Sequence, residues 1–183
     1  QLAWINEAAD LVRAGLAAAL VTGPASKLAI ATSGAPGAAE FLGHTEHLAR
    51  RLRAREVTMA FASAELTTAL VTTHLPLARV PEAVTPREVG RAAFWLARLL
   101  RDLGRQRPRV AVAALNPHAG EGGLLGDEEA LRIAPGIRLA RRRLAAARVQ
   151  AELAGPIGAE TAFRLAAGGA YDGVVAMYHD QAT

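Results

Sequence analysis

Five histidines occur in the 183 residues. Three of them, His74, His118 and His179, each lie just past a different short apolar run. Residues 68–72 lead into Thr73-His74, residues 110–115 into Asn116-Pro117-His118, and residues 174–177 into Tyr178-His179-Asp180. If the three runs are strands of one sheet, three imidazoles gather at one edge. A three-histidine set with open positions is a catalytic metal arrangement, and imidazole suits zinc, cobalt and nickel. The spacing is not a local motif of the His-Glu-x-x-His kind, so three unrelated surface or hydrogen-bonded histidines is the competing reading.

Other residues add to this set. Asp180 follows His179 directly and fits a metal ligand, an acid that orients an imidazole, or a helix cap. Glu160 closes Gly155-Pro156-Ile157-Gly158-Ala159-Glu160 and otherwise reads as a helix-start acid. His44 and Thr45 offer donors for a hydroxyl, carboxylate or phosphate; the alternative is a helix N-cap by Thr45. His47 reads as a surface residue. Three glycines in four positions (120, 122 and 123) follow His118, permitting unusual backbone angles and close approach of a ligand. This segment is neither a Walker A loop nor a Gly-x-Gly-x-x-Gly fingerprint. Lys27 closes Gly23-Pro24-Ala25-Ser26-Lys27 and is the only lysine among 21 basic residues. A lone ammonium where every other cation is guanidinium suits phosphate or carboxylate binding or proton exchange, against a chance surface lysine.

These residues need elements to hold them. Short apolar runs at 17–21, 57–62, 68–72, 110–115, 149–154 and 174–177 read as buried strands. Helical patterns fall between them. Thr85-Pro86-Arg87-Glu88 is a capping box with Pro at the first helical position, and apolar residues recur at helical spacing as far as Gly104. A second helix is expected from Asp127, interrupted at Pro135 and Gly136. Another is expected over 137–148 and a short one over 161–167. Alternating strands and helices predict an α/β domain with a largely parallel sheet and flanking helices. Ligands of such sheets gather beyond the carboxyl ends of the strands, where the polar motifs lie. Residues 1–183 are expected to form part of one α/β catalytic unit, with two lobes in the full-length protein, their boundary not set by the sequence, as the alternative.

Composition narrows the function. The chain is 51% hydrophobic and 21% charged, which excludes a disordered tail. The absence of cysteine excludes a disulfide scaffold, a thiolate zinc site and a cysteine nucleophile. No apolar run approaches the ~20 residues of a membrane span, and residues 1–10 have no basic leader pattern. The expectation is a cytoplasmic protein with no membrane partner. The pI near 10.5 hints at nucleic acid. The 43 alanines and the near-exclusive use of Arg point instead to compositional bias, and 4% aromatic residues leave little for base stacking. No nucleic-acid partner is expected.

Taken in order, Thr22 to Lys27, Gly43-His44-Thr45-Glu46, Thr73-His74-Leu75-Pro76-Leu77, Asn116 to Gly123 with Gly126-Asp127-Glu128-Glu129, Gly155-Pro156, and Tyr178-His179-Asp180-Gln181 resemble the 4-hydroxythreonine-4-phosphate dehydrogenase family. The resemblance spans nearly the whole chain. It implies a fold similar to isocitrate and isopropylmalate dehydrogenases, and a homodimer with its active site at the subunit interface. It implies a divalent metal (zinc, magnesium or cobalt) on His74, His118 and His179, one of the three coming from the partner chain. His44 and Thr45 match the pair that contacts substrate, Asp180 matches an aspartate near the metal, and Glu160 stands where the family usually has Asp. Lys27 is a candidate proton or phosphate group. Segments before the first motif and after the last, the latter with residues that bind the substrate phosphate, are expected outside this sequence.

The implied activity is oxidation of 4-phosphohydroxy-L-threonine by NAD or NADP, followed by decarboxylation to an aminoketone phosphate in pyridoxal phosphate biosynthesis. The alternatives are a paralogous dehydrogenase of phosphothreonate or phosphoerythronate, a non-catalytic metal-binding dimer module, and a three-histidine metal hydrolase.

Overall fold

The computed structural model describes residues 1–182. The chain divides into two compact units, Gln1–Val57 and Thr58–Thr183.

The first unit holds three α-helices, α1 (Leu2–Arg13), α2 (Lys27–Ala31) and α3 (His44–Arg51), with a short 3-10 turn at Ala38–Glu40. Ser26 caps α2 by accepting from the amide of Ala29. A small core of Leu2, Ile30, Ala38 and Phe41 gathers Ile5 and Ala25 around it. Arg51 ties α3 to α1 through Asp10 and the carbonyl of Asn6. The strand expected over 17–21 is absent. Leu16 and Val21 are exposed, and no strand forms among the described residues of this unit to complete a ladder. Unpaired backbone is tolerated only in contact with water, so an Ala-rich run without a neighbour stays irregular.

The second unit is α/β. Its elements run β1 (Ala60–Ala62), β2 (Thr67–Leu70), α4 (Val80–Ala83), α5 (Pro86–Asp102), β3 (Arg109–Ala113), α6 (Ala134–Ala146), β4 (Glu152–Ile157), α7 (Ala159–Ala167) and β5 (Gly173–Ala176). The sheet order is β1-β2-β5-β3-β4. Only β1 is antiparallel; the other pairings are parallel. The largely parallel sheet with flanking helices is thus as expected. β4 begins three residues later than the apolar run at 149–154, because Val149 packs into the core beneath the end of α6 instead of entering the sheet.

Alternation along the central strands sorts the two faces. Val110, Val112 and Val175 join Val89, Leu96, Leu100, Ile137 and Leu144 of α5 and α6. Ala111, Ala113 and Val174 join Ala162 and Ala166 of α7. Both faces are covered, so these strands read as continuous apolar runs. Truncating a side chain as enclosed as Leu96 to Ala costs about 2–5 kcal/mol.

α5 starts as read: the Thr85 side chain accepts from the amide of Glu88, with Pro86 in the first turn. The break expected at Pro135 and Gly136 does not occur. Residues 129–133 wind as one wider turn in which the amide of Ala134 bonds to the carbonyl of Glu129. Pro135 then stands in the first turn of α6, where a missing N–H costs nothing. Gly136 serves packing: a Cβ there would lie 2.5 Å from Cβ of Val89 on α5.

Candidate active site

The ends of β2 and β5 are bound together beyond the regular ladder. The amide of Val71 donates to the carbonyl of Ala176 at 2.9 Å. The Thr72 hydroxyl donates to the carbonyl of Met177 at 2.8 Å, and its amide does so at 3.1 Å. This pairing carries both chain segments out of the sheet side by side. His74 and His179 therefore meet, with ring centroids 5.5 Å apart. The Phe61 ring from β1 stands edge-on to His179 at 5.9 Å. His179 Nδ1 donates to Asp180 Oδ1 at 2.8 Å, which leaves Nε2 as the ring nitrogen available to a ligand. An imidazole oriented by a carboxylate on its far nitrogen is a recurrent device of metal sites.

His118 is held differently. It follows β3 and begins a run of five residues with left-handed backbone, His118 (φ 52), Ala119 (54), Gly120 (77), Glu121 (43) and Gly122 (67). For a residue with a Cβ this region costs roughly 1–2 kcal/mol, and it is rarely repeated in succession. Such strain persists only where its surroundings over-determine it. Here the restraint comes from Glu129, whose carboxylate accepts from the amides of Leu115 (2.9 Å) and Asn116 (2.8 Å) and from Asn116 Nδ2 (3.0 Å). Burial alone would raise the Glu129 carboxyl, but the hydrogen bonds from Asn116 and Leu115 outweigh it and hold the group below its ordinary value.

β3 and β5 are joined by Gln181. Its Nε2 donates to the carbonyl of Ala114 at 2.9 Å, and its Oε1 accepts from the amide of Met177 at 2.7 Å. Asn116, His118, Glu160, Thr161, Tyr178 and Gln181 line a cavity of about 670 Å³ at this end of the sheet. Glu160, in the first turn of α7, accepts from Arg164 Nε at 3.0 Å and from the Thr161 hydroxyl at 3.1 Å.

The topology thus brings three histidines to three adjacent strand ends, in the order β2-β5-β3. Side-chain geometry brings only His74 and His179 together. Among the described residues no group of three histidines and carboxylates is placed to hold a metal ion. Within this chain the three histidines therefore do not form one cluster among the described residues. The strand ends converge, but His118 leaves β3 through a left-handed turn and faces the cavity at the β3–β5 side.

In the first unit, Gly43 is the N-cap of α3, with His44 and Thr45 in its first turn. The alternative of a cap by Thr45 is thereby excluded. His44 Nε2 is shielded from solvent and has no hydrogen-bond partner among the described residues. His44 also lines a cavity of about 370 Å³ with Trp4, Ile5, Val21 and Pro24. Lys27 reaches the start of α3: its Nζ lies 3.5 Å from where a Cβ of Gly43 would be. His47 is not a simple surface residue. It is half-buried and its Nε2 donates to Asn6 Oδ1 at 2.6 Å. Burial first, then the charges of Arg50 and Arg51, lower its tendency to protonate.

In sequence, Glu129 stands in the motif Gly126-Asp127-Glu128-Glu129 and reads as a first-turn acid of the helix expected from Asp127, with no role at the site. A signal was present: Glu129, Ile133, Ile137, Ala140 and Leu144 fall on one helical stripe, and the last four are buried core. A carboxylate in register with a buried stripe must find donors there.

Comparison with known proteins agrees with this architecture. The family model described as pyridoxal phosphate biosynthetic protein PdxA matches residues 1–183. The 4-hydroxythreonine-4-phosphate dehydrogenase of Desulfosudis oleivorans is 43% identical over 180 residues, 98% of this chain and 51% of that protein. The crystal structure of the Klebsiella pneumoniae 4-hydroxythreonine-4-phosphate dehydrogenase superposes with a TM-score of 0.85 at 36% identity, covering 97% of this chain and 52% of that one. A terephthalate 1,2-cis-dihydrodiol dehydrogenase from Burkholderia xenovorans follows at TM-score 0.72 and 30% identity, covering 98% and 54%. The chain spans about half the length of the relatives it matches. By sequence and by fold, the chain belongs to the PdxA family of pyridoxal phosphate biosynthetic proteins.

Proposed function

We propose that this chain is the part of a metal-assisted, NAD- or NADP-dependent 4-hydroxythreonine-4-phosphate dehydrogenase that supplies its histidine site. The observation that carries the reading is the facing pair His74 and His179, with Asp180 on the far nitrogen of His179, at the carboxyl ends of adjacent parallel strands. The donor set fits a divalent cation as part of a shared site. Two imidazoles and no thiolate suit zinc or cobalt better than magnesium, and a third ligand is required from beyond this pair. In a homodimer whose active site is shared, the histidine trio is completed across the interface by residues of two copies.

A divalent cation held by these histidines would supply Lewis acidity at the substrate hydroxyl, and NAD or NADP would supply the hydride acceptor. The chain's own residues do the rest. Asp180 holds His179 in one tautomer and one orientation. His44 and Thr45 orient the substrate, and Lys27 serves as a cation for its phosphate or carboxylate, or as a proton carrier. The product of oxidation is a ketone β to a carboxylate, so loss of carbon dioxide follows to give the aminoketone phosphate. Among the described residues no helix is long and apolar enough to cross a membrane; the protein is proposed to be a cytoplasmic homodimer.

A second reading has its own support. The similarity to a dehydrogenase named for a dihydrodiol of terephthalate favours a scaffold that serves more than one alcohol. A paralogue acting on phosphothreonate or phosphoerythronate would use the same histidines.

The test is reduced-nicotinamide formation by the intact protein that carries this chain, on 4-phosphohydroxy-L-threonine, with and without chelator. Metal-dependent turnover that disappears in His118→Ala is expected. Turnover only with phosphothreonate or phosphoerythronate would move the protein to the second reading. Full activity in His118→Ala would remove that histidine from the metal set.

A further inference from the structure

We propose that Glu129 is a positioning residue, acting through the backbone of residues 115–122 to present His118. This rests on the reading of His118 as a metal ligand. Glu129 is 5% exposed, so its carboxylate is sited for the protein interior and not for solvent. Three hydrogen bonds reach it from the segment that launches His118. Oε1 takes the amides of Leu115 and Asn116, the last two residues before Pro117 and the histidine. Oε2 takes Asn116 Nδ2, which Glu128 also engages from the other side at 2.7 Å.

The same carboxylate braces the far side of the turn. A Cβ at Gly120 would lie 2.7 Å from Glu129 Oε2 and 2.9 Å from the carbonyl of Gly126. Gly120 is itself buried at the middle of the left-handed run. The amide of Leu125 donates to the Gly120 carbonyl at 3.1 Å and closes the loop over this contact. The left-handed residues are thus clamped between a carboxylate that grips the chain before them and the same carboxylate packed against their centre.

The base of Glu129 is equally fixed. It opens the wide turn that runs into α6, and the carbonyl of Glu129 accepts from Ala134. Ile133, one turn on, is fully buried. α6 packs on α5 against the sheet. Glu129 therefore transmits the position of a rigid helix to a strained loop, which is what a site residue borne on a loop requires.

The experiment compares wild type, Glu129→Gln and Ile133→Val in the intact protein. Ile133→Val removes one buried methyl on the same stripe and controls for plain destabilisation. Two quantities are read: amide hydrogen exchange of 115–124 against α5, and affinity for added Co²⁺ with its visible absorption band. Glu129→Gln keeps an acceptor for the two backbone amides but turns a donor toward Asn116 Nδ2. Faster exchange confined to 115–124 and a loss of Co²⁺ affinity on the order of 10–100-fold are expected, with an altered cobalt band. Ile133→Val should change neither. Equal exchange changes in loop and helices, or Co²⁺ affinity equal to that of Ile133→Val, would overturn the proposal. Should Glu129→Gln not fold, Glu129→Asp carries the same comparison, since it keeps the charge and shortens the reach by one methylene. If wild type binds no Co²⁺, the metal reading fails, and loop-confined exchange still decides whether Glu129 holds the turn.

Discussion

Gln181 and Ala114, 67 residues apart in sequence, are joined by a 2.9 Å hydrogen bond from the side-chain amide to the backbone carbonyl. With the bond from the amide of Met177 to Gln181 Oε1, one side chain stitches the end of β5 to the end of β3. It does so where the sheet ladder has stopped and where His118 and His179 leave their strands. Replacing Gln181 with Ala removes both bonds and leaves the carbonyl of buried Ala114 and the amide of buried Met177 without these partners. A loss of about 1–3 kcal/mol is expected, read by urea denaturation of the intact protein. Gln181→Glu still accepts from Met177 but sets a second carboxylate oxygen against the Ala114 carbonyl, so it is expected to be no milder than Gln181→Ala. If Gln181→Ala denatures like wild type, the strand ends are held without it.

Gly136 and Val89 define how closely α6 and α5 pack. A methyl group at Gly136 would sit 2.5 Å from Val89 Cβ and 2.9 Å from the carbonyl of Pro86. Neither is the far end of a flexible chain, so the helices must separate. Gly136→Ala is expected to cost about 1–3 kcal/mol through overpacking, even though Ala is the better helix former. The melting temperature checks the sign. A rise would mean that helix propensity wins and the interface yields freely.

His47 gives the first unit a pH dependence. Burial, followed by Arg50 and Arg51, holds its folded pKa below the ordinary value of 6.5. In the window between that ordinary value and the lowered folded one, the unfolded chain binds a proton that the folded chain does not. Stability is therefore full above about pH 6.5 and falls as pH drops through this window. His47→Gln, which can still donate to Asn6 Oδ1, should flatten the dependence. The check is local hydrogen exchange of α1 and α3 at pH 7.5 and pH 5.5. Equal slopes in both proteins would assign the pH effect elsewhere.

Much of this protein is legible without coordinates. Thr85-Pro86-Arg87-Glu88 encodes the start of α5 locally, since a hydroxyl three residues before a free amide and a proline at the first position need no tertiary partner. The apolar runs at 110–115 and 174–177 declare buried strands because both faces of a parallel sheet are covered. The order of motifs from Thr22 to Gln181 carries the family, and the three histidines fall at strand ends because period and punctuation place them there.

Other features depend on neighbours far away in sequence. The run at 17–21 looks like a strand by composition, but a strand exists only where another offers its hydrogen bonds. Pro135 looks like a helix breaker until a wider turn supplies a register that never asks for its N–H. Glu129 looks like a helix-start acid until the loop from β3 brings three donors to it. His74 and His179, 105 residues apart, meet because β2 and β5 pair in parallel, whereas His118 is turned aside by a left-handed backbone that its residue types permit but do not demand. Sequence sets the local rules of capping, alternation and backbone freedom, which act over a few residues. The meeting of side chains across strands is decided by packing, because it depends on which distant surfaces are buried together.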